Sequence, residues 1–338
     1  MTRSRLPGVL AIVLALLLAA CGGDVTDGGP LAPIDEEPSE TDAAPDGTEP
    51  SEGTDGGSDA DEPAADGSDD GEDREDGEDR EDGDDAAASE ETTPVRLYFL
   101  APGGDTPARA GPFLVSVERE VEATEQIAHA AVRALIDGPT DEEESLVAEV
   151  SSSVPAETLL LGVTIEDAVA TVDLSREFES GGGSLSMFAR LAQVVYTLTQ
   201  FPTVDEVRFA LEGDPVTVFS GEGIVLDEPV ARDDYHDLLP TVFIDTPPAG
   251  AEVELPLNLT GKAAVFEATF QYRVTAEDGT VLAEDFAMSD SGIGWGDIDV
   301  TIDLEVEEPT EAVLTVWEFS AQDGSIQAER DTPLTLLP

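Results

Sequence analysis

Residues 185–211 read LSMFARLAQVVYTLTQFPTVDEVRFAL, and this stretch decides the fold of the first folded segment. Its first part carries apolar residues at helical spacing, at positions 185, 188, 191, 192, 195 and 198. The spacing predicts an amphipathic helix over 185–199 with one continuous apolar face. Phe201-Pro202 ends the helix, and 204–211 follows as a strand. A helix that leads directly into a strand favours an α+β domain with helices on one face of a sheet.

The residues on either side fit the same architecture. The pattern predicts strands at 95–100 and 113–121, then a helix from about 124 that stops at Gly138-Pro139. A short acidic helix or turn follows from 140, then a hairpin of 159–165 and 168–174. Gly181-Gly182-Gly183 forms a flexible entry to the long helix, with Ser184 as its predicted N-cap. A short strand at 216–219 closes the segment.

The last hundred residues have a different pattern, with short alternating runs, several glycines and no convincing helix. Asp278-Gly279 and Asp323-Gly324 are typical hairpin turns. About seven short strands in such a length predict a β-sandwich of immunoglobulin type, without the cysteine pair of antibody domains. We interpret Trp295 and Trp317 as core or edge packing rather than as ligand platforms. The strands are predicted at 242–244, 264–275, 281–282, 298–306, 312–319 and 334–337.

The N-terminus carries an export signal. Two arginines precede an apolar run of roughly a dozen residues, which ends in Leu18-Ala19-Ala20-Cys21. The run is shorter than the roughly 20 residues that span a bilayer. Leu-Ala-Ala-Cys resembles the lipobox of bacterial lipoproteins, which implies cleavage before Cys21 and lipid attachment to that residue. The alternative is an ordinary secreted protein with a stray thiol.

The charge of the chain excludes several partners. The 338 residues hold 76 acids and 15 bases, which gives a formal net charge of −61, and Lys262 is the only lysine. Nucleic acids and anionic membrane surfaces are therefore excluded as ligands, because both require clustered cations. Membrane contact is expected only through the lipid on Cys21. The acidity fits a saline setting, or a genome that uses arginine in place of lysine, and both interpretations stay open.

These patterns divide the chain into five parts. A low-complexity stretch rich in Gly, Asp, Glu, Pro and Ser follows Cys21 and is predicted to be disordered. The predicted parts are a signal peptide at 1–20, a disordered acidic linker at 21–93, an α+β domain at 94–222, an interdomain linker at 223–239 and a β-sandwich at 240–338.

Two families share motifs with the folded parts. The first segment resembles the GerMN domain of spore-germination proteins through 95–99, 134–140 and, most specifically, 193–211. The second resembles the immunoglobulin-like domain of bacterial spore germination through 244–250, 257–268 and 318–325. The resemblance implies a Gram-positive envelope lipoprotein on the outer face of the cell membrane, linked to sporulation and germination, with no catalytic residues. GerMN-like folds are similar to ring-building domains, which implies an assembly role.

Three function classes follow. The favoured hypothesis is a non-enzymatic envelope scaffold that associates with itself or with an envelope partner. The alternatives are a module that binds cell wall or peptide, and a hydrolase that uses two carboxylates. No catalytic residue, cofactor or metal is predicted.

The candidate catalytic and binding residues favour structural roles. His129 lies within the first helix and is interpreted as a boundary residue rather than a base. His236 lies in the cluster 233–237, which we interpret as a solvated linker rather than a cation site. Gly181-Gly182-Gly183-Ser184 lacks the lysine of a phosphate-binding loop.

Overall fold

The computed structural model describes residues 91–103 and 111–338. The predicted signal peptide, Cys21 and the linker up to residue 90 lie outside the described residues. Sixteen strands and three α-helices occur within the described ranges. Their bounds are β1 Thr92–Ala101, β2 Phe113–Glu122, α1 Ile127–Ile136, α2 Asp141–Leu146, β3 Leu160–Glu166, β4 Val169–Leu174, α3 Ser184–Leu198, β5 Glu206–Leu211, β6 Asp214–Pro215, β7 Val218–Phe219, β8 Ile224–Val225, β9 Val242–Thr246, β10 Glu252–Glu254, β11 Leu257–Ala263, β12 Thr269–Ala276, β13 Val281–Met288, β14 Gly296–Ile302, β15 Thr310–Phe319 and β16 Ile326–Leu337.

The first part of the fold is an α+β domain. Strands β1 and β2 form an antiparallel hairpin, and a four-stranded sheet has the order β3-β4-β5-β6. β4 and β5 run parallel, because α3 connects them and returns the chain to the same end of the sheet. Helices α1 and α3 pack against these strands and share one apolar core. Its fully buried members include Leu97, Phe99, Leu135, Val172, Leu191 and Val207.

Arg119 on β2 fixes the end of α1. Its guanidinium donates to the carbonyls of Ala134 and Gly138, both at 2.8 Å, and forms a buried ion pair with Glu143. A cation at this position satisfies carbonyls that the last helical turn leaves unpaired and opposes the negative end of the helix dipole. Thr140 caps α2 in a capping box with Glu143, so one carboxylate serves both elements.

The second part is a two-sheet sandwich. Its sheets have the orders β10-β16-β15-β12-β13 and β14-β11-β9. The core between them is formed by inward-facing residues of both sheets, as an immunoglobulin-type sandwich requires. The core includes Leu257, Leu259, Phe270, Val274, Leu314 and Leu336. The predicted fold class is therefore confirmed, with α+β first and all-β second.

Several predicted elements differ in detail. The run 264–275, predicted as one strand, is broken by a 3-10 turn at Phe266–Ala268, where Glu267 and Ala268 have positive φ. Alternating apolar residues continue through this turn, so the pattern alone did not reveal the break. Ser184, predicted as the N-cap of α3, is instead its first residue, and Gly183 holds the N-cap position without a side-chain bond. The Ser184 hydroxyl donates to Glu222.

The segment 223–239, predicted as a linker, is packed against the first core. It contains β8 and a 3-10 helix at Arg232–Leu238. Tyr235, Leu238 and Leu239 are buried in the core of the α+β domain. All described residues belong to one compact unit, since this segment ties the two domains together.

Candidate functional site

The junction between the two domains begins with main-chain pairing. The Glu118 amide on β2 donates to the Ala249 carbonyl, and the Ala249 amide donates to the Ser116 carbonyl, both at 2.9 Å. The segment after β9 thereby adds to the free side of the β1-β2 hairpin. Backbone groups that would otherwise need water are satisfied across the domain boundary.

Asp245 on β9 is the polar centre of the junction. Its carboxylate accepts from Arg96 at 3.1 Å, from Arg232 at 3.0 Å and from the Tyr98 hydroxyl. Its side chain is 13% exposed, and each arginine side chain is 24% exposed. Arg96 and Tyr98 belong to β1, whereas Arg232 belongs to the connecting segment. One carboxylate of the sandwich therefore joins two separate parts of the α+β domain.

Arg232 is held on every side. It donates to Thr199 Oγ1 at 2.7 Å and to the Tyr196 carbonyl at 3.1 Å, and its guanidinium lies 4.7 Å from the Tyr196 ring centroid. Burial opposes its charge, but Asp245 and Tyr98, which both accept hydrogen bonds from the guanidinium, outweigh burial and raise the pKa of Arg232. The cation is therefore permanent, and the ring faces on which it stacks stabilise it further.

The tyrosine of this cluster stays protonated. Burial, followed by the Coulombic effect of Asp245, raises the pKa of Tyr98 well above its usual value. The phenol thus donates to the carboxylate, and it accepts from Arg232 at 3.0 Å. Asp245 therefore accepts from Tyr98, Arg96 and Arg232, so its buried negative charge is both compensated and hydrogen-bonded.

Apolar contacts continue across the same boundary. The Phe243 ring on β9 meets the Tyr196 ring of α3 edge-on, with centroids 5.9 Å apart. Phe243 and Ala249 belong to the core cluster of the α+β domain rather than to the core of the sandwich. The domains therefore share a core, and relative motion between them would disrupt buried apolar surface.

A second surface feature is the free edge of the four-stranded sheet. In the described part of the chain, β3 pairs only with β4 and ends the sheet. Leu161 is 50% exposed and Ile165 is 39% exposed. A groove of about 430 Å³ lies beside this edge, lined by apolar and polar residues of β3, the start of α1 and the turn after α3. An exposed apolar edge strand is a template for pairing with another chain.

The residues singled out from the sequence are not brought together. His129 is half-buried on α1 and lines the groove beside β3. His236 stacks on Trp295 at 5.2 Å and lies 3.1 Å from an Asp233 oxygen, so it contributes to the domain junction. Trp317 is buried in β15. Within the described ranges, no group of three His, Cys, Asp or Glu side chains is arranged to hold a metal ion.

The glycine-rich turn before α3 is filled by the chain itself. Arg190 of that helix donates to the carbonyls of Phe178, Ser180 and Gly181. A side chain on Gly182 would meet Ser186 Oγ at 2.6 Å, so the turn needs glycine for close packing as well as for its φ of +81°.

Sequence reasoning did not find the junction residues. Asp245 does carry a signal, because an acid directly after Val242-Phe243-Ile244 interrupts an otherwise apolar strand. Arg96 gives a similar signal within β1. Their pairing across about 150 positions of sequence depends on how the domains dock. No helix in the described part of the chain is long and apolar enough to span a bilayer.

Comparison with known proteins gives two family matches. The family model described as Germane, sporulation and spore germination, matches residues 96–217. The model described as Gmad2, immunoglobulin-like domain of bacterial spore germination, matches residues 241–325. Lipoprotein LpqB of Thermobifida fusca (strain YX) is 32% identical over 116 residues, which is 34% of this chain and 18% of that protein. The chain thus spans less than a fifth of the length of this relative.

Solved structures are similar at low identity. The first GerMN domain of the sporulation protein GerM from Bacillus subtilis is 23% identical, with a TM-score of 0.35, and the match covers 42% of this chain and 100% of that one. The tandem GerMN domains of the same protein are 18% identical, with a TM-score of 0.36, and 64% of each chain is covered.

Proposed function

Because the chain joins a Germane domain of sporulation and germination proteins to a Gmad2 immunoglobulin-like domain, we propose that it is a non-enzymatic, lipid-anchored scaffold of the cell envelope. The anchor in this proposal is Cys21, at the end of the export signal. A relative named as a lipoprotein supports the assignment. Cleavage before Cys21 and lipidation would hold the folded unit outside the cytoplasm, and residues 21–93 would act as a spacer.

The anchor is tested by following lipid on the full chain. Wild-type protein should incorporate a labelled fatty acid and partition into detergent, whereas Cys21→Ser should do neither and should remain uncleaved or enter the medium. Ser4→Ala, in the basic start of the signal, is the matched control and should behave as wild type. Equal lipid incorporation in Cys21→Ser would contradict the assignment.

The scaffold role rests on the free edge of β3 in a unit whose two domains share buried contacts. The six residues at 160–165 read LLGVTI and carry no charge. In a chain with a net charge of −61, two copies repel each other over most of their surfaces. They can approach closely at an uncharged strand edge, where main-chain hydrogen bonds and apolar side chains stabilise the contact. We infer that a second copy pairs through β3 about a two-fold axis.

Self-association is tested by light scattering on the lipid-free chain from Gly22 onward, across protein concentration and salt. A dimer should appear and should strengthen with salt, because screening weakens the repulsion between acidic copies. The double variant Leu161→Ser with Ile165→Ser should remain monomeric. Val225→Ser removes a still more exposed apolar side chain outside β3 and should dimerise as wild type does.

Two results would overturn the proposal. A monomer at every salt and protein concentration would remove self-assembly through β3. Release of soluble muropeptides from purified cell walls would contradict the non-enzymatic assignment.

A further inference from the structure

A cavity of about 410 Å³ lies between the two domains. Its walls come from β2, from the segment after α2, and from β9, β15 and β16 of the sandwich. Most of the lining is apolar and includes Phe113, Leu146, Val147 and Val316. A volume of this size lies within the range of small-molecule sites, which are mostly apolar with few polar groups.

Arg330 is the cation at this cavity. It pairs with Val316 across β15 and β16, and Val316 belongs to the sandwich core, so Arg330 lies on the inner face of its sheet. Its guanidinium carbon lies 5.4 Å from the ring centroid of Phe113, which belongs to the other domain. Among residues 91–103 and 111–338, no carboxylate lies within 4.0 Å of it.

Among the described residues, the lack of a carboxylate partner distinguishes Arg330 from the junction arginines. Burial lowers the pKa of Arg330, whereas Asp245 and the hydrogen-bonded Tyr98 raise the pKa of Arg232 despite its burial. Within the described ranges, this half-buried guanidinium contacts the Phe113 ring, which leaves it able to form charge-assisted hydrogen bonds. An anion at this place would therefore find unused donors.

Three carboxylates also line the cavity. Glu149 is an exposed residue after α2, and the other two belong to the opposite face of the strand that carries Arg330. Glu329 and Asp331 flank Arg330, and side chains alternate along a strand. Asp331 accepts a hydrogen bond of 2.6 Å from Thr315 on that outer face. The inner face thus presents the cation to the cavity, and the acids discourage ligands that carry more than one negative charge.

We propose that this cavity binds a small amphiphile with a single carboxylate on an apolar chain. The Arg330 guanidinium binds the carboxylate, and the apolar walls contributed by both domains cover the chain. Because the walls belong to both domains, the bound ligand stabilises their docking. This site is separate from the β3 edge and does not depend on self-association.

The test is calorimetric titration of the lipid-free chain from Gly22 with decanoate, at neutral pH and at high salt to screen the acidic surface. Each methylene that is buried should tighten binding by about fourfold, which corresponds to about 0.8 kcal/mol. Octanoate should therefore bind about fifteenfold more weakly than decanoate. Decanol, which has the same chain without the charge, should bind at least about tenfold more weakly than decanoate.

Variants locate the site. Arg330→Gln should weaken decanoate binding about tenfold and leave decanol binding unchanged. Arg208→Gln, at an exposed arginine on β5, is the matched control and should change neither. Ala148→Trp places a large side chain in the mouth of the cavity at an exposed position, so it should block both ligands without unfolding the protein.

The proposal is overturned by any of three results. These are the absence of decanoate binding to the folded wild-type chain, equal binding of decanoate and decanol, and equal decanoate affinity in wild type and Arg330→Gln. Thermal unfolding of each variant, recorded without ligand, separates a lost site from a lost fold.

Discussion

Replacing Asp245 by asparagine should break the polar centre of the domain junction without changing its volume. The variant keeps an oxygen acceptor for Tyr98 but removes the charge that compensates Arg96 and Arg232. It also places an amide N–H donor against two guanidinium groups, which carry only donors and cannot accept a hydrogen bond. Both arginines are more than three-quarters buried, so neither can regain full hydration without moving.

The expected loss is about 3 kcal/mol of unfolding free energy. Removing one partner of a buried ion pair costs about 3–5 kcal/mol, because the other charge stays buried without compensation. The lower end applies here, since Arg232 keeps its bonds to Thr199 and the Tyr196 carbonyl. Glu284→Gln breaks the exposed pair with Arg273 and serves as the control, with an expected loss below about 1 kcal/mol.

Two probes separate the domains during urea unfolding. All described α-helix lies in the α+β domain, whereas Trp317 is buried in the sandwich and Trp295 lies at the junction, where it packs against the first core. Helical circular dichroism and tryptophan fluorescence should coincide in the wild type, because the two domains share a core. In Asp245→Asn the two transitions should separate.

A free energy of unfolding for Asp245→Asn within about 1 kcal/mol of the wild-type value, with coincident transitions, would contradict this prediction. That result would mean that the buried apolar contacts of Phe243 and Ala249 hold the junction and that the ion pairs contribute nothing to it.

Three further predictions concern charge and packing. Glu118→Gln should stabilise the protein by about 0.5 kcal/mol at neutral pH. Burial and nearby carboxylates raise the pKa of Glu118, so the folded state binds more protons and its stability falls as pH rises above the ordinary glutamate value of 4.5. The gain should vanish in acid-unfolding curves below that pH. Gly261→Ala should cost about 3 kcal/mol in urea titration, because its Cβ would lie 2.0 Å from the Phe243 carbonyl oxygen, whereas Gly162→Ala meets nothing within 4 Å and should be near neutral. The melting temperature should rise with sodium chloride for the wild type, and an unchanged value between low and molar salt would contradict the role of surface repulsion.

Local patterns in the sequence were sufficient for most of the fold. The predicted helix 185–199 corresponds to α3, and the predicted hairpin around Glu166-Asp167 corresponds to β3 and β4. The alternating pattern predicted a sandwich, and the two sheets around one core confirm that prediction. These elements are set by periodic burial, which depends on residues close together in the chain.

The domain junction could not be predicted in the same way. Its key contacts join Arg96 and Tyr98 to Asp245, and no local period connects such distant positions. The segment 233–237 illustrates the limit. Its acids and histidine read as a solvated linker, yet Tyr235 within it is buried in the core. A polar sequence can be placed by one large apolar side chain and by a cation such as Arg232 at its start.

The scarcity of basic residues makes the place of each one informative. The chain has 15 basic and 76 acidic residues, so each arginine that pairs with a carboxylate in the interior leaves fewer cations to balance the acids on the surface. Arg96 and Arg232 are committed to Asp245, and Arg119 is committed to Glu143. The surface that remains is strongly acidic and repels copies of itself and other anions. Contacts with other molecules are therefore expected where that field is interrupted, and the described part of the chain offers two such places of different kinds. The edge of β3, which carries no charge from 160 to 165, suits a second protein strand, and the cavity beside Arg330 suits a small anion with an apolar chain.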